Sequence, residues 1–400
     1  MSTPRPLAKE IWILAAKRTP FGALGGALKA VSAIDLGVHA AKAAIAQSGV
    51  AATDFDHVIL GNVQQTSPNA LYGTRHVGLK NDLPIETPAL TLNRLCGSGF
   101  QAVVSAAEQI LLGEAKAVLA VGSENMTQAP HVIHGLRDGQ KFGKPPKLVD
   151  SLWEALTDSY SNTPMAVTAE NLAVKYGITR EAADRFALRS QQRWGAAQES
   201  GGFANEIVPL EISAGKKSAV FAKDEHPRPD TTLEVLAKLP PVFKKDGIVT
   251  AGNASGICDG AAALVVADAA WAKQRGFAPL ARVLQWGVAG VEPTLMGIGP
   301  APAIRSALSR AGLSQGEVDL FDINEAFAPQ FLAVQKELGL AEDRTNVNGG
   351  AIALGHPLGA SGARITANLV YTLRRQQKRI AVGAACIGGG QGIAVVLERV

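Results

Sequence analysis

Two kinds of apolar pattern alternate along this chain. Alanine-rich stretches with apolar residues three and four apart predict amphipathic helices, and short aliphatic runs between them predict strands. The alternation is itself repeated. Ile45-Ala-Gln-Ser-Gly-Val-Ala-Ala-Thr-Asp-Phe-Asp lies without a gap on Leu308-Ser-Arg-Ala-Gly-Leu-Ser-Gln-Gly-Glu-Val-Asp. In each, a helical pattern closes at a glycine, Gly49 or Gly312, which suits the position just past a helix end. An acidic turn then leads into a short strand, Val58-Ile-Leu or Leu320-Phe-Asp-Ile. Further on, Cys96-Gly-Ser-Gly-Phe lies on Gly359-Ala-Ser-Gly-Ala. Each precedes a helical segment (101–112 and 364–373) and then a strand-like run (117–122 and 379–383). Positions 45 and 308, and again 96 and 359, differ by the same 263 residues. Duplication gives one register for both matches, whereas unrelated alanine-rich helices predict none.

A unit that alternates strands with helices predicts an α/β layer with helices packed on its sheet, here formed twice. Residues 125–251 have a different texture, with Pro145-Pro146, the stretch 158–164 and Pro227-Arg-Pro. One clear helix starts after Thr179, a suitable N-cap, and places Ala183, Phe186, Ala187, Trp194 and Ala197 on one face before Gly201-Gly202. The pattern predicts a first half at residues 1–124 that resumes at 252–275, a loop-rich insertion at 125–251, and a second half at 276–400. Insertions of this kind commonly carry binding residues on a rigid scaffold.

Composition narrows the partners. The chain has 400 residues, 47% of them hydrophobic, enough for a large core. Its net charge of +4, without a long basic run, gives no reason to expect nucleic acid. Three cysteines, Cys96, Cys258 and Cys386, are too few and too far apart for a disulfide framework or a metal site. Sparse cysteine predicts free thiols in a reducing compartment. The start of the chain lacks the apolar segment and cleavage pattern of a secretory signal, and no uninterrupted apolar run has the length of a membrane span. These features predict a soluble intracellular protein, bacterial and cytoplasmic in the first instance, with the mitochondrial matrix as the other location.

Four segments carry groups able to do chemistry. Cys96 lies in Asn93-Arg-Leu-Cys-Gly-Ser-Gly at the start of a helical pattern, where the helix dipole favours thiolate and free backbone amides can bind an oxyanion. The plain alternative is a buried, inert cysteine. His356 stands between glycines in Asn348-Gly-Gly-Ala-Ile-Ala-Leu-Gly-His-Pro-Leu-Gly, placed to act as a base toward a thiol; alone it reads equally as a turn residue. That glycine-rich run matches neither a dinucleotide fingerprint nor a phosphate-binding lysine loop. Cys386 closes a strand before Ile387-Gly-Gly-Gly. Asn324 and Glu325 follow the strand 320–323, Asn324 as a hydrogen-bond donor and Glu325 more naturally as a structural carboxylate. Cys258 reads as core.

Together, Asn93-Arg-Leu-Cys-Gly-Ser-Gly, Asn324-Glu-Ala-Phe-Ala, Gly355-His-Pro-Leu-Gly and Cys386-Ile-Gly-Gly-Gly resemble the four catalytic loops of the thiolase family, in the family's order. Thr91-Leu-Asn-Arg-Leu-Cys, Leu239-Pro-Pro-Val-Phe-Lys-Lys-Asp-Gly and Met296-Gly-Ile-Gly-Pro are closest to its 3-ketoacyl-CoA thiolase branch, of mitochondrial and bacterial type. The resemblance implies a five-layer α-β-α-β-α fold and reversible thiolysis of 3-ketoacyl-CoA, with coenzyme A or acetyl-CoA as substrate and no permanently bound cofactor. It implies Cys96 as the acylated nucleophile, His356 as its base, Asn324 holding a water, and Cys386 as the acid or base at the α-carbon. The amides of Cys96 and Gly388 would form an oxyanion hole. Arg228, Thr231, Ser255 and Met165 would contact coenzyme A or the acyl group, in a homodimer or homotetramer. An acyl-CoA thioesterase, a short-chain acetyltransferase or a non-catalytic acyl carrier are the competing expectations. The second thiol, Cys386, argues against hydrolysis alone, and the paired halves argue against a peptide hydrolase.

Overall fold

The computed structural model describes residues 4–214 and 217–400. The first half supplies strands β1 (Ile11–Arg18), β2 (His57–Gly61), β3 (Ala89–Leu92), β4 (Ala117–Asn125) and β5 (Cys258–Asp268). The second half supplies β6 (Ala281–Gly290), β7 (Leu320–Ile323), β8 (Ile380–Ile387) and β9 (Gln391–Glu398). Their order is β1-β5-β4-β2-β3 in one half-sheet and β6-β9-β8-β7 in the other. Both half-sheets run antiparallel across their first two pairings and parallel at the next. The second-half counterpart of β3 is reduced to one parallel bridge, Phe321 to Thr345. Equal order and equal sense in both halves are the duplication read from the offset of 263 residues. The half-sheets join where Ile11–Ile13 pair with Ala281–Val283.

The long helices of the two halves are α1 (Ala33–Ser48), α2 (Ser98–Leu112), α5 (Pro300–Ala311), α6 (Ala328–Leu338) and α7 (Leu358–Arg375), with α3 (Met165–Tyr176) and α4 (Arg180–Glu199) between them. Helices α2 and α7 form the middle layer, sharing one apolar cluster with strands of both half-sheets. Helix α1 packs outside the first half-sheet, and α5 and α6 outside the second, which completes five layers. The segment Leu95–Leu112 is apolar and long enough to cross a membrane by composition, and here it lies in this middle layer. Gly49 and Gly312 both take φ of 70° at their helix ends, as the repeat predicts.

The helices of the insertion were only half legible. The Thr179 side chain caps α4 through Ala182 N, and Ala183, Phe186, Ala187, Trp194 and Ala197 are its buried face. Helix α3 lacks a side-chain cap and follows Pro164, so its start carries no polar signal. Helix α7 begins at Leu358, six residues before its recognisable pattern, and is buried from Leu358 to Leu373. Its first six residues include Gly359 and Gly362, poor helix formers that blur the pattern there. The insertion is tied to the first half by Arg18, whose buried guanidinium meets Asp224 at 2.6 Å and Glu206 at 2.7 Å.

The middle-layer helices meet backbone to backbone at their first turns. A methyl at Gly362 would lie 2.1 Å from Phe100 N, and one at Gly122 2.3 Å from Gly359 O. Neither neighbour can move without moving a helix or a strand. Gly362→Ala should therefore cost about 1–3 kcal/mol, the usual penalty of overpacking. Gly316→Ala, whose methyl meets only Ser314 Oγ at 3.9 Å, should stay within about 0.5 kcal/mol. Chemical denaturation of both variants beside the parent protein measures the difference.

Candidate active site

Cys96 sits in a single helical turn, Leu95–Gly97, that runs into α2. The turn is held from several sides. Leu95 has φ of 46°, unusual for a branched residue, and its N–H is fixed by Asn93 Oδ1 at 2.8 Å. Ser98 Oγ donates to Leu95 O at 2.7 Å and accepts from Arg94 N at 2.8 Å. The thiol is partly buried, and burial pushes it up to about 11 although the N–H groups of Gly388 and of Cys96 itself pull it down. The buried Glu124 adds to the upward shift. Helix placement alone predicted a thiolate, and the structure corrects that expectation. Desolvation of the charged form outweighs the helix terminus and the two amides, so the resting group is a thiol.

His356 occupies the loop between the short helix Ala351–Leu354 and α7, with its ring buried. Ser361, on the first turn of α7, donates its hydroxyl to Pro357 O at 2.9 Å and lies 2.5 Å from His356 Nδ1. With its own proton used, the Ser361 oxygen accepts from Nδ1–H. Nε2 is therefore the unprotonated nitrogen, and its lone pair accepts from Asn324 Nδ2 at 3.3 Å. Burial, assisted by the Arg364 guanidinium, lowers the imidazole to about 3, so it rests neutral. Ser361 and Arg364 were not singled out in the sequence. Their spacing of three residues on one helix face was the available signal, hidden in a helix whose start was not recognised.

Cys386 is fully buried near the end of β8, and burial with the neighbouring Cys96 raises its thiol. It shares a small apolar cluster with Met165, Met296 and Ala326. The turn that follows packs on the Cys96 turn. A methyl at Gly97 would lie 2.6 Å from Ile387 Cδ1, and one at Gly388 3.2 Å from Leu95 Cδ1. The segments of Cys96, Asn324, His356 and Cys386 are thus brought to one place, and the amides of Cys96 and Gly388 converge on Cys96 Sγ.

Glu325 turns away from this chemistry. Its carboxylate accepts from Ser190 Oγ at 2.6 Å, Asn346 Nδ2 at 2.9 Å and Ile352 N at 3.2 Å, fastening α4 and the loop before His356 to the second half. Cys258 is core, yet it touches the site from beneath. Gly355 takes φ of 95°, and a methyl there would lie 2.1 Å from Cys258 Sγ.

An apolar cavity of about 350 Å³ opens beside His356, lined by Met165, Ser255, Phe243, Phe327 and Trp153 among others. Arg228 and Thr231 line a separate cavity of about 240 Å³ with Gln191 and His226. The ring of His226 divides the two, since a methyl on the intervening Gly256 would lie 2.2 Å from its Nε2. The expected coenzyme residues therefore fall into two adjacent chambers. Among the described residues, no cluster of three or more His, Cys, Asp or Glu side chains could hold a metal ion.

A thiol at two convergent amides, an imidazole whose Nε2 is unprotonated, and a second buried thiol define a site for covalent acyl transfer. Residues 11–270 match the family model described as thiolase, N-terminal domain, and residues 277–399 match thiolase, C-terminal domain. The chain belongs to the thiolase family. It is 56% identical to human mitochondrial 3-ketoacyl-CoA thiolase over 98% of this chain and 99% of that protein. It is 47% identical to an acetyl-CoA acetyltransferase of Chromobacterium violaceum over 98% and 100%. The crystal structure of human mitochondrial 3-ketoacyl-CoA thiolase in complex with CoA superposes with a TM-score of 0.97 at 55% identity, covering the whole of both chains.

Alkylation of Cys96 by iodoacetamide should keep accelerating through about pH 10, without the low-pH plateau that an ion-paired thiolate gives. Ser361→Ala frees His356 to adopt the other tautomer. It should slow acylation of Cys96 roughly 10–100-fold, the worth of one buried hydrogen bond of about 1.5–3 kcal/mol. Single-turnover transfer from acetyl-CoA measures this.

Proposed function

We propose that this chain cleaves 3-ketoacyl-CoA with coenzyme A, reversibly, through an acyl-Cys96 intermediate. The observation that carries the reading is the pairing of a neutral Cys96 thiol and a second thiol, Cys386, around an imidazole whose Nε2 is unprotonated. In thiolysis His356 Nε2 takes the Cys96 proton as Sγ attacks the 3-keto carbon. The bond between C2 and C3 breaks, and the acetyl-CoA carbanion takes its proton from Cys386. Coenzyme A then attacks the acyl-Cys96 thioester, giving its thiol proton to the Cys386 thiolate, and Cys96 recovers its proton from His356. A thioester intermediate keeps the acyl group activated, so the sequence runs in reverse as a condensation. The raised thiol of Cys386 suits it to protonate a carbanion. The Cys96 and Gly388 amides are the oxyanion donors of one step. Asn324 and His356 serve the other, with a water on the Asn324 Oδ1, which has no protein partner.

Coenzyme A is the substrate expected to lie along the insertion. Met165 and Ser255 line the chamber beside His356, suited to the pantetheine and acyl end. Arg228 and Thr231 line the next chamber, suited to the nucleotide end, where a guanidinium meets phosphate or stacks on adenine. The subunit is inferred to form a homodimer or a homotetramer. β3 is an edge strand, and Leu71, Tyr72, Ile85 and Leu90 near it are exposed. The three free thiols and an acyl-CoA substrate fit a reducing compartment, bacterial cytoplasm or mitochondrial matrix.

The test is coenzyme A-dependent loss of 3-ketoacyl-CoA absorbance with acetoacetyl-CoA and a medium-chain substrate side by side. Cys96→Ala should abolish both cleavage and labelling by radioactive acetyl-CoA. Cys386→Ala should still be labelled at Cys96 while cleavage falls by about 10²–10⁴-fold, the usual contribution of a positioned acid or base. Labelling of Cys96→Ala at the parent level would assign the nucleophile elsewhere. Absence of coenzyme A-dependent cleavage with either substrate would favour hydrolysis or acyl carriage.

A further inference from the structure

Glu124 is the last residue but one of β4 and has no exposed surface, and it forms no ion pair among the described residues. Four donors surround its carboxylate. Oε1 accepts from Gln64 N at 3.0 Å and Asn62 Nδ2 at 3.1 Å; Oε2 accepts from Val63 N at 3.0 Å and Gly359 N at 2.9 Å. Gly359 is on the first turn of α7, three residues beyond His356. The loop 62–64 leads to the nucleophile. Val63 O accepts from Asn93 Nδ2 at 3.1 Å, and Asn93 Oδ1 fixes Leu95 N at 2.8 Å. One buried carboxylate therefore joins the helix that carries the base to the turn that carries the thiol.

We propose that Glu124 is a positioning residue that holds the Cys96 turn and the His356 loop at working distance from each other. The proposal rests on the roles given to Cys96 and His356 above. It has a consequence in pH. Burial lifts this carboxyl to about 7 against the pull of its backbone donors, and Asp259 on β5 adds to the rise. The other ionisable group interacting with it is the Cys96 thiol, at about 11, which does not titrate near neutrality, while burial also raises the Asp259 carboxyl. Every acceptor site on the carboxylate already holds a donor, so a proton displaces one N–H and slackens the brace. Acylation should then weaken as pH falls through about 7. Asp322, paired with Arg364 at 3.3 Å behind Asn324, also lies near 7 and is the rival source of such a limb.

The experiment is single-turnover acylation of Cys96 by acetyl-CoA across about pH 5.5–8.5, on the parent protein, Asp322→Asn and Glu124→Gln. The parent and Asp322→Asn should both show an acid limb centred near pH 7. Glu124→Gln should lose the limb, and at pH 8 its acylation should be at least about tenfold slower, because its amide turns a donor toward N–H donors. A flat parent profile, a limb lost in Asp322→Asn, or a limb kept in Glu124→Gln overturns the proposal. Should Glu124→Gln not fold, the parent and Asp322→Asn profiles decide between the two carboxylates. A parent protein that is not acylated at Cys96 at any pH instead overturns the proposed function.

Discussion

The first turns of α2 and α7 touch without side chains between them. A methyl at Gly362 would fall 2.1 Å from Phe100 N, and one at Gly99 2.5 Å from Ala363 N. This contact places two helix starts at the centre of the molecule, one descended from each half of the duplication. One start carries Cys96, and the other follows directly on His356. The turn after Cys386 is registered on the first through Ile387 against Gly97. Close-packed interiors do not yield by fractions of an ångström, so the relative position of the two starts is fixed by the layers around them. The placing of Cys96 and His356, the proposed nucleophile and base, is a property of the whole five-layer fold.

Burial at that centre sets the charge state of every reactive group. It drives the Cys96 thiol to about 11 and the His356 imidazole to about 3, both away from the charged form. A resting thiolate–imidazolium pair is therefore disfavoured. In the proposed mechanism, proton transfer becomes favourable only as a bound carbonyl draws negative charge off the sulfur toward the amides of Cys96 and Gly388. Such a site stays unreactive until it holds an electrophile, which suits an enzyme with two thiols in one pocket. The surrounding carboxylates oppose stability. Glu124 and Asp322 both lie near 7, raised from their ordinary values. Their contribution to stability is complete at low pH and is lost as pH rises through about 7, where the ionised forms remain buried. At working pH the site is maintained against this cost by the packing around it.

Local order was legible wherever the local pattern agreed with the fold. Gly49 and Gly312, the strand Leu320–Ile323 and the Thr179 cap lie where their residues implied. The misses have separate physical origins. Helix α7 hides its first six residues because Gly359 and Gly362 weaken the helical signal there, and α3 hides its start because Pro164 offers no side-chain cap. A helix terminus can be read from sequence, while the desolvation that decides the ionisation of Cys96 depends on layers more than two hundred residues away in the chain.

The sequence by itself determined the duplication, the alternation of strands and helices, the four reactive segments and the family they mark. These depend on residue type and spacing, which are local. The tertiary structure alone decided the rest. It selected the His356 tautomer through Ser361, divided the expected coenzyme residues between two chambers, and set which segments the Glu325 carboxylate joins. It also placed Glu124 between the loop leading to Cys96 and the first turn of α7. Each of these outcomes depends on which groups lose water together, and that is settled only when distant segments pack.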